Sequence, residues 1–139
     1  KKYDLLTRLN SMPKHIKLCH GDFAPDNIII NDEGVFIVDW LKAKQGNASA
    51  DIAKTYINFC LKHHTEWAEK YLKLYCNKTG TSVKYIHDWL PIVAAAQLKF
   101  RRPEQRELLL TLIDVAIIDN IYNLQAYFLD IFQKVWYNI

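Results

Sequence analysis

Apolar residues in this chain follow two periods, and the switch between them limits the fold to a small β element joined to a larger set of helices. From residue 16 to about 40, short β-type runs alternate with turn residues; from about 49 to the end the spacing becomes helical. The β part reads as a hairpin. Residues 27–30 (Asn-Ile-Ile-Ile) and 35–38 (Val-Phe-Ile-Val) are strand-like, and Asn31, Asp32, Glu33 and Gly34 between them have the composition of a turn. A helix-like stretch, 3–9, comes first.

The helical part divides at its punctuation. One helix is expected from Ser49 or Asp51 to about His63, with Ile52, Tyr56, Phe59 and Cys60 on its apolar face. A second covers about 66–77, with Trp67, Tyr71, Leu74 and Tyr75 on one face and Gly80 beyond its end. A third begins near Ser82 or Asp88. Pro91 fits only in a first turn, which favours Asp88 as the N-cap. Pro103 opens a fourth, with Glu104 and Glu107 near its positive end, and the apolar stretch 113–139 is expected to add one or two terminal helices. The expected fold class is α+β and mostly helical, with the hairpin buried against a helical bundle.

A length of 139 residues suits one domain with a real core. The chain opens at Lys1 and enters a helix-like stretch at once, so it is expected to be a piece of a longer protein. The net charge is only +3, and Arg101-Arg102 is the one adjacent arginine pair. No aromatic platform alternates with a basic stripe, so nucleic acid is not an expected partner. No apolar run reaches the ~18 residues a membrane crossing needs, so no membrane partner is expected. Cys19, Cys60 and Cys76 are odd in number and lack CxxC spacing, which argues against a disulfide framework or zinc site and for the cytoplasm.

The chemistry concentrates in residues 18–27, Leu-Cys-His20-Gly21-Asp22-Phe-Ala-Pro-Asp26-Asn27, followed by Val38-Asp39-Trp40. If 31–34 form the turn, Ile30 faces Val35, and counting back places Asp39 opposite Asp26 or Asn27. The hairpin then returns a carboxylate to within about 5 Å of the Asn27 backbone. An amide oxygen and a carboxylate oxygen that close can share one Mg²⁺, which takes its remaining ligands from phosphate and water. Asp22 lies five residues before Asn27 and can reach the side from which a hydroxyl would attack. A group that orients the nucleophile, together with metal ligands, is what phosphoryl transfer requires.

His-Gly-Asp-x-x-x-x-Asn followed by Asp-Trp resembles the motif of the aminoglycoside phosphotransferase and choline kinase group of small-molecule kinases. The likeness continues through Gly46-x-x-x-x-Asp51-Ile52-Ala53, similar to the family's Gly-…-Asp-Leu-Ala segment, and through residues 89–96, which are like segments of uncharacterised bacterial members. The resemblance implies the C-lobe of a protein-kinase-like fold, with residues 1–139 forming that single lobe. It implies ATP as co-substrate, Mg²⁺ as cofactor, and a small-molecule hydroxyl as acceptor: an aminoglycoside, an amino alcohol or a sugar-like compound. Asp22 would be the catalytic base or hydroxyl-orienting carboxylate. Asn27 and Asp39 would hold magnesium and, through it, the nucleotide. His20 would brace the loop, with Gly21 and Asp51 supporting it. The family's N-lobe, which carries a phosphate-covering loop and a lysine, has no counterpart among these residues, so this stretch alone is not expected to turn over. The alternative is a non-catalytic, pseudokinase-like binding or oligomerisation module. A metal-dependent phosphoesterase ranks last, because too few His and Asp ligands lie near Asp22.

Bland readings stand beside these. Asp22, Asn27 and Asp39 are residues that favour loops in any case. Asp51 is equally a helix cap or first-turn acid. His63-His64 point apart, against a metal site, and the tryptophans and tyrosines suit core and rim packing. Asp88, Glu104, Asp114, Asp119 and Asp130 lie where related kinases that accept cationic substrates place acidic residues; as a group they read mainly as solvated helix-face charges.

Overall fold

A computed structural model describes residues 2–118. Helix α1 (Lys2–Ser11) leads into strand β1 (Lys17–Cys19), strands β2 (Ile28–Asn31) and β3 (Gly34–Ile37), and strand β4 (Lys44–Gly46). Helices α2 (Ala48–Leu61), α3 (Thr65–Thr79), α4 (Val83–Gln97) and α5 (Pro103–Ile118) follow. The result is α+β and mostly helical, with two small antiparallel sheets. Part of the expected terminal helices, 119–139, lies outside the described residues.

The hairpin has the expected register. Ile30 faces Val35 and Ile28 faces Ile37. Asn31 fixes the turn, its Oδ1 accepting from the N–H groups of Glu33 at 2.9 Å and Gly34 at 3.2 Å. This is how an Asn side chain substitutes for a backbone turn.

The burial expected for the hairpin is not found. Ile30 is 75% exposed and Val35 67%, and Ile29, Phe36 and Ile37 are also exposed. Three successive isoleucines make both faces of β2 apolar, so the pattern cannot say which face meets a partner, and no described helix covers either face.

The second sheet is what shapes the site. β1 and β4 pair antiparallel, Lys17 with Gly46 and Cys19 with Lys44. Everything between them, residues 20–43, is one excursion closed at its base by this short ladder. The ladder sits on α2, so the excursion starts and finishes beside that helix.

The core lies among the helices. α4 packs on both α2 and α5, and α2 packs on α3. Ile57, Leu72, Ile86, Leu90 and Leu109 are fully buried there. Arg8 bonds Asp88 at 3.4 Å and ties α1 to α4.

Three helix expectations are corrected. The buried stripe of α3 is Ala68, Leu72 and Cys76, whereas Trp67 and Leu74 are exposed. The small residues let α3 approach closely, and the bulky ones are turned to the rim. On α2 the buried face runs through Ala53, Tyr56, Ile57 and Cys60, with Ile52 at its edge. Helix α4 starts at Ser82, whose side chain accepts from the Tyr85 N–H, and Pro91 sits inside it. Asp88 is a mid-helix residue, not a cap. An interior proline costs about 3 kcal/mol in an isolated helix; here Pro91 is fully buried, and its packing offsets that cost.

Candidate active site

The loop after β1 is held from below by α2. The Asp51 carboxylate accepts from the His20 N–H at 2.7 Å and the Gly21 N–H at 2.9 Å. The cap of α2 is Asn47, whose side chain accepts from the Ser49 N–H, so Asp51 is free for the loop. One turn on, Thr55 Oγ1 donates to the Phe23 carbonyl at 2.8 Å. Lys54 donates to the Gly21 carbonyl from the same helix face.

Gly21 is required where it stands. Its φ of +77° lies in the left-handed region, and a Cβ there would come 2.2 Å from the Lys42 carbonyl oxygen. The two ends of the excursion touch at this point.

His20 is 5% exposed and joins the loop to the far end of the hairpin. Its Nδ1 accepts the Asp22 N–H at 3.3 Å, so its proton sits on Nε2 and is donated to the Val38 carbonyl at 2.9 Å. The ring lies 4.6 Å from that of Trp40, centroid to centroid. Val38 in turn donates its N–H to the Asn27 carbonyl at 3.0 Å, which carries the hairpin register one step past the strands.

Asp22, Asn27 and Asp39 line one open cleft of about 390 Å³. Asn27 Nδ2 donates to the Asp22 carbonyl at 2.8 Å, which leaves Oδ1 as its open atom. Asp39 follows the hairpin with φ 60° and ψ 57°, a left-handed conformation that costs a non-glycine residue roughly 1 kcal/mol or more. Asp tolerates it better than most residues. Asn27 Oδ1 and the Asp39 carboxylate are hard oxygen donors suited to Mg²⁺. Among the described residues no group of three or more His, Cys, Asp or Glu could hold a metal by itself. Two protein oxygens fit an ion that keeps water and phosphate as its other ligands.

Asp22 has the strongest electrostatic surroundings. Lys42 Nζ lies 2.6 Å from Oδ2 and Lys54 Nζ 3.2 Å from Oδ1. The hydrogen bond from Lys42 holds this carboxyl below the usual carboxylate range; partial burial opposes it, and Lys54 adds to the lowering. The folded value is depressed, so the ion pair's stabilisation is complete above the unfolded value of about 4 and is lost as pH falls through the folded one. Replacing Lys42 by Met is expected to move the Asp22 midpoint upward. A carbon-detected NMR titration of that carboxyl checks this, and an unmoved midpoint would remove Lys42 as the cause.

Lys42, Lys54, Thr55 and Arg101 were not singled out by the sequence. Lys54 had a signal: it stands three residues after Asp51, on the same helix face. Arg101 had none beyond its neighbour Arg102, and Lys42 none. Of the acids considered for a cationic substrate, Asp88 bonds Arg8 and Lys84, and neither Glu104 nor Asp114 lines the clefts around Asp22. Asp119 and Asp130 lie outside the described residues. His63 and His64 fall in the turn between α2 and α3.

A family model described as "Phosphotransferase enzyme family" matches residues 4–89, more than half of the chain. The chain belongs to this phosphotransferase family. The match takes in the whole excursion and its support from α2, so the loop, hairpin and Asp51 brace are the family's region of the molecule. Protein LicA of Haemophilus influenzae strain Rd is 31% identical over 65 residues, 47% of this chain and 24% of that protein. A second Haemophilus influenzae LicA is 31% identical over 65 residues, covering 19% of its length. The chain thus spans a quarter or less of the curated relatives it matches. No solved structure matches it. Among the described residues no helix is long and apolar enough to cross a membrane.

Proposed function

We propose that this chain is the C-terminal lobe of a small-molecule kinase and transfers the γ-phosphoryl group of ATP to an alcohol hydroxyl, with Mg²⁺ as cofactor. The observation that carries the reading is the meeting of Asp22, Asn27 and Asp39 in one cleft, on a loop braced by Asp51 and His20. Asn27 Oδ1 and the Asp39 carboxylate are the atoms that would hold magnesium, which when bound neutralises charge on the nucleotide phosphates.

Asp22 accepts a hydrogen bond from the acceptor hydroxyl and aims its oxygen at phosphorus. As that oxygen bonds to the γ-phosphorus, the bond to the leaving ADP oxygen breaks, and the hydroxyl proton passes to Asp22. With a lowered pKa Asp22 is a weak base, so its contribution is orientation first and late proton acceptance second. A mostly dissociative transfer asks for little more. The exposed apolar hairpin beside Asn27 and Asp39 is the surface that a preceding nucleotide-covering lobe would occupy.

The test is ADP release from Mg·ATP by the full-length protein against amino sugars, amino alcohols, sugars and hydroxy acids. Stimulation by one class, abolished by chelating magnesium, supports the reading. No stimulation by any acceptor turns the chain into a binding module that retains the family's loop.

A further inference from the structure

Asp22 also forms part of the wall of a second cleft, of about 810 Å³, which Asn27 and Asp39 do not line; Arg101 belongs to the walls of both clefts. One wall comes from the excursion and α2, and the other from Trp89, Ile92, Val93 and Gln97 of α4 and the residues just after it. If Asp22 orients the acceptor hydroxyl, this is where the rest of the acceptor lies, and what lines the cleft selects it.

Its lining is rich in hydrogen-bond donors and poor in free acceptors. Of the two carboxylates, Asp51 is occupied by the His20 and Gly21 N–H groups and Asp22 by Lys42 and Lys54. Two cations remain, Lys44 and Arg101; among the described residues neither forms a close ion pair with a carboxylate, though the Asp22 charge acts on Arg101 from a distance. Arg101 is positioned by neutral amides: its Nε donates to Gln97 Oε1 at 3.1 Å, and its Nη2 donates to Gln97 Oε1 and to Asn58 Oδ1. Such partners orient a guanidinium without neutralising it.

Two further residues of the same cleft have buried donors with nothing to donate to. Gln97 Nε2 and Trp89 Nε1 have no hydrogen-bond partner among the described residues. The amide of Gln97 cannot be turned to relieve this, because its oxygen already accepts from Arg101. A buried unsatisfied donor costs about 1–3 kcal/mol, so each is better matched by a ligand that accepts.

We propose that the acceptor is an anionic alcohol: a hydroxy compound bearing a carboxylate or a phosphate, with its anion held by Lys44 and Arg101. Its hydroxyl then reaches Asp22, and its carbon skeleton lies on Ile92 and Val93. The assignment rests on the kinase reading for its orientation, but the anion site itself does not.

The experiment separates the two. Glycerol, 2-aminoethanol, glycerate and glycerol 3-phosphate are small alcohols that differ in charge. Each is titrated calorimetrically into the full-length protein with and without Mg·ATP, and each is assayed for ADP release. Wild type is compared with Lys44→Gln and Arg101→Gln. Lys44 lies on an exposed strand, so its variant keeps the test valid if Arg101→Gln unfolds the protein.

Glycerate or glycerol 3-phosphate is expected to bind best, alongside ATP rather than in its place. Either variant should weaken that binding about ten- to hundredfold, as loss of a hydrogen bond to a charged group does. Preference for glycerate identifies a carboxylate, and preference for glycerol 3-phosphate a phosphate. Preference for 2-aminoethanol, failure of both anions to bind, binding indifferent to both variants, or displacement of the anion by ATP overturns the proposal. Variant-sensitive anion binding with no turnover keeps the site and sinks the kinase reading. Turnover of 2-aminoethanol alone does the reverse.

Discussion

Replacing Asp22 by Asn is expected to lower kcat of the full-length protein by roughly 10²–10⁴-fold while leaving it folded. The substitution is nearly isosteric and keeps the backbone N–H that bonds His20 and the carbonyl that receives Asn27. What it removes is the negative charge between Lys42 and Lys54, and with it the carboxylate that can take the hydroxyl proton; the amide oxygen left is only a weaker acceptor. Nucleotide affinity should change little, because Asn27 and Asp39 are untouched. Measuring kcat and KM for ATP separately makes the test specific. A fall in kcat with KM for ATP unchanged fits hydroxyl orientation. A rise in KM for ATP alongside the fall in kcat would make Asp22 a general support of the loop, and an unchanged rate would end the proposed chemistry at this carboxylate.

The second large effect concerns stability. Gly21→Ala is expected to destabilise the protein by about 2–4 kcal/mol, combining a left-handed alanine with overpacking. The clash cannot relax cheaply, because the atom a Cβ would meet is the backbone oxygen of Lys42, not the end of a flexible chain. Moving it means moving the turn 40–42 that follows Asp39, or the loop braced by Asp51. A fall of roughly 10 °C in the midpoint of thermal unfolding is the corresponding signal. An unshifted midpoint would show that the two ends of the excursion yield independently. Gly34→Ala isolates the backbone part of this cost: its φ of +142° is also strained for alanine, but a Cβ there meets nothing within 4 Å. Gly21→Ala should therefore cost more by the clash.

The loop and hairpin were legible because they depend on local rules. Asn31 and Gly34 set a turn, the turn sets the register, and the register brings residue 39 back towards residue 27. The motif His20-Gly21-Asp22 with Asn27 and Asp39 then pointed to a family that the match over residues 4–89 bears out.

The misreadings have a common origin in packing, which no single stretch encodes. Ile29 and Ile30 are as apolar as core residues, yet whether they are covered depends on surfaces elsewhere. Pro91 breaks helices as a rule, and it is tolerated in α4 because it fills space between neighbours. Trp67, Tyr71, Leu74 and Tyr75 were read as one apolar face of α3, whereas close approach selected the face of Ala68, Leu72 and Cys76. Lys42 and Arg101 matter only because separate elements converge on Asp22, at sequence separations that leave no periodic trace.

The bracing of the loop falls on one stretch of α2, where Asp51, Lys54 and Thr55 make the contacts that position it. None of these side chains belongs to α3, α4 or α5. On the proposed reading, α2 both braces the loop and forms one wall of the acceptor cleft, whereas α4 supplies a wall that makes none of the bracing contacts. If that reading holds, substitutions along α4 can change what is phosphorylated without moving the group that receives the proton, so a lineage with this architecture can diversify its substrates while the reaction stays fixed.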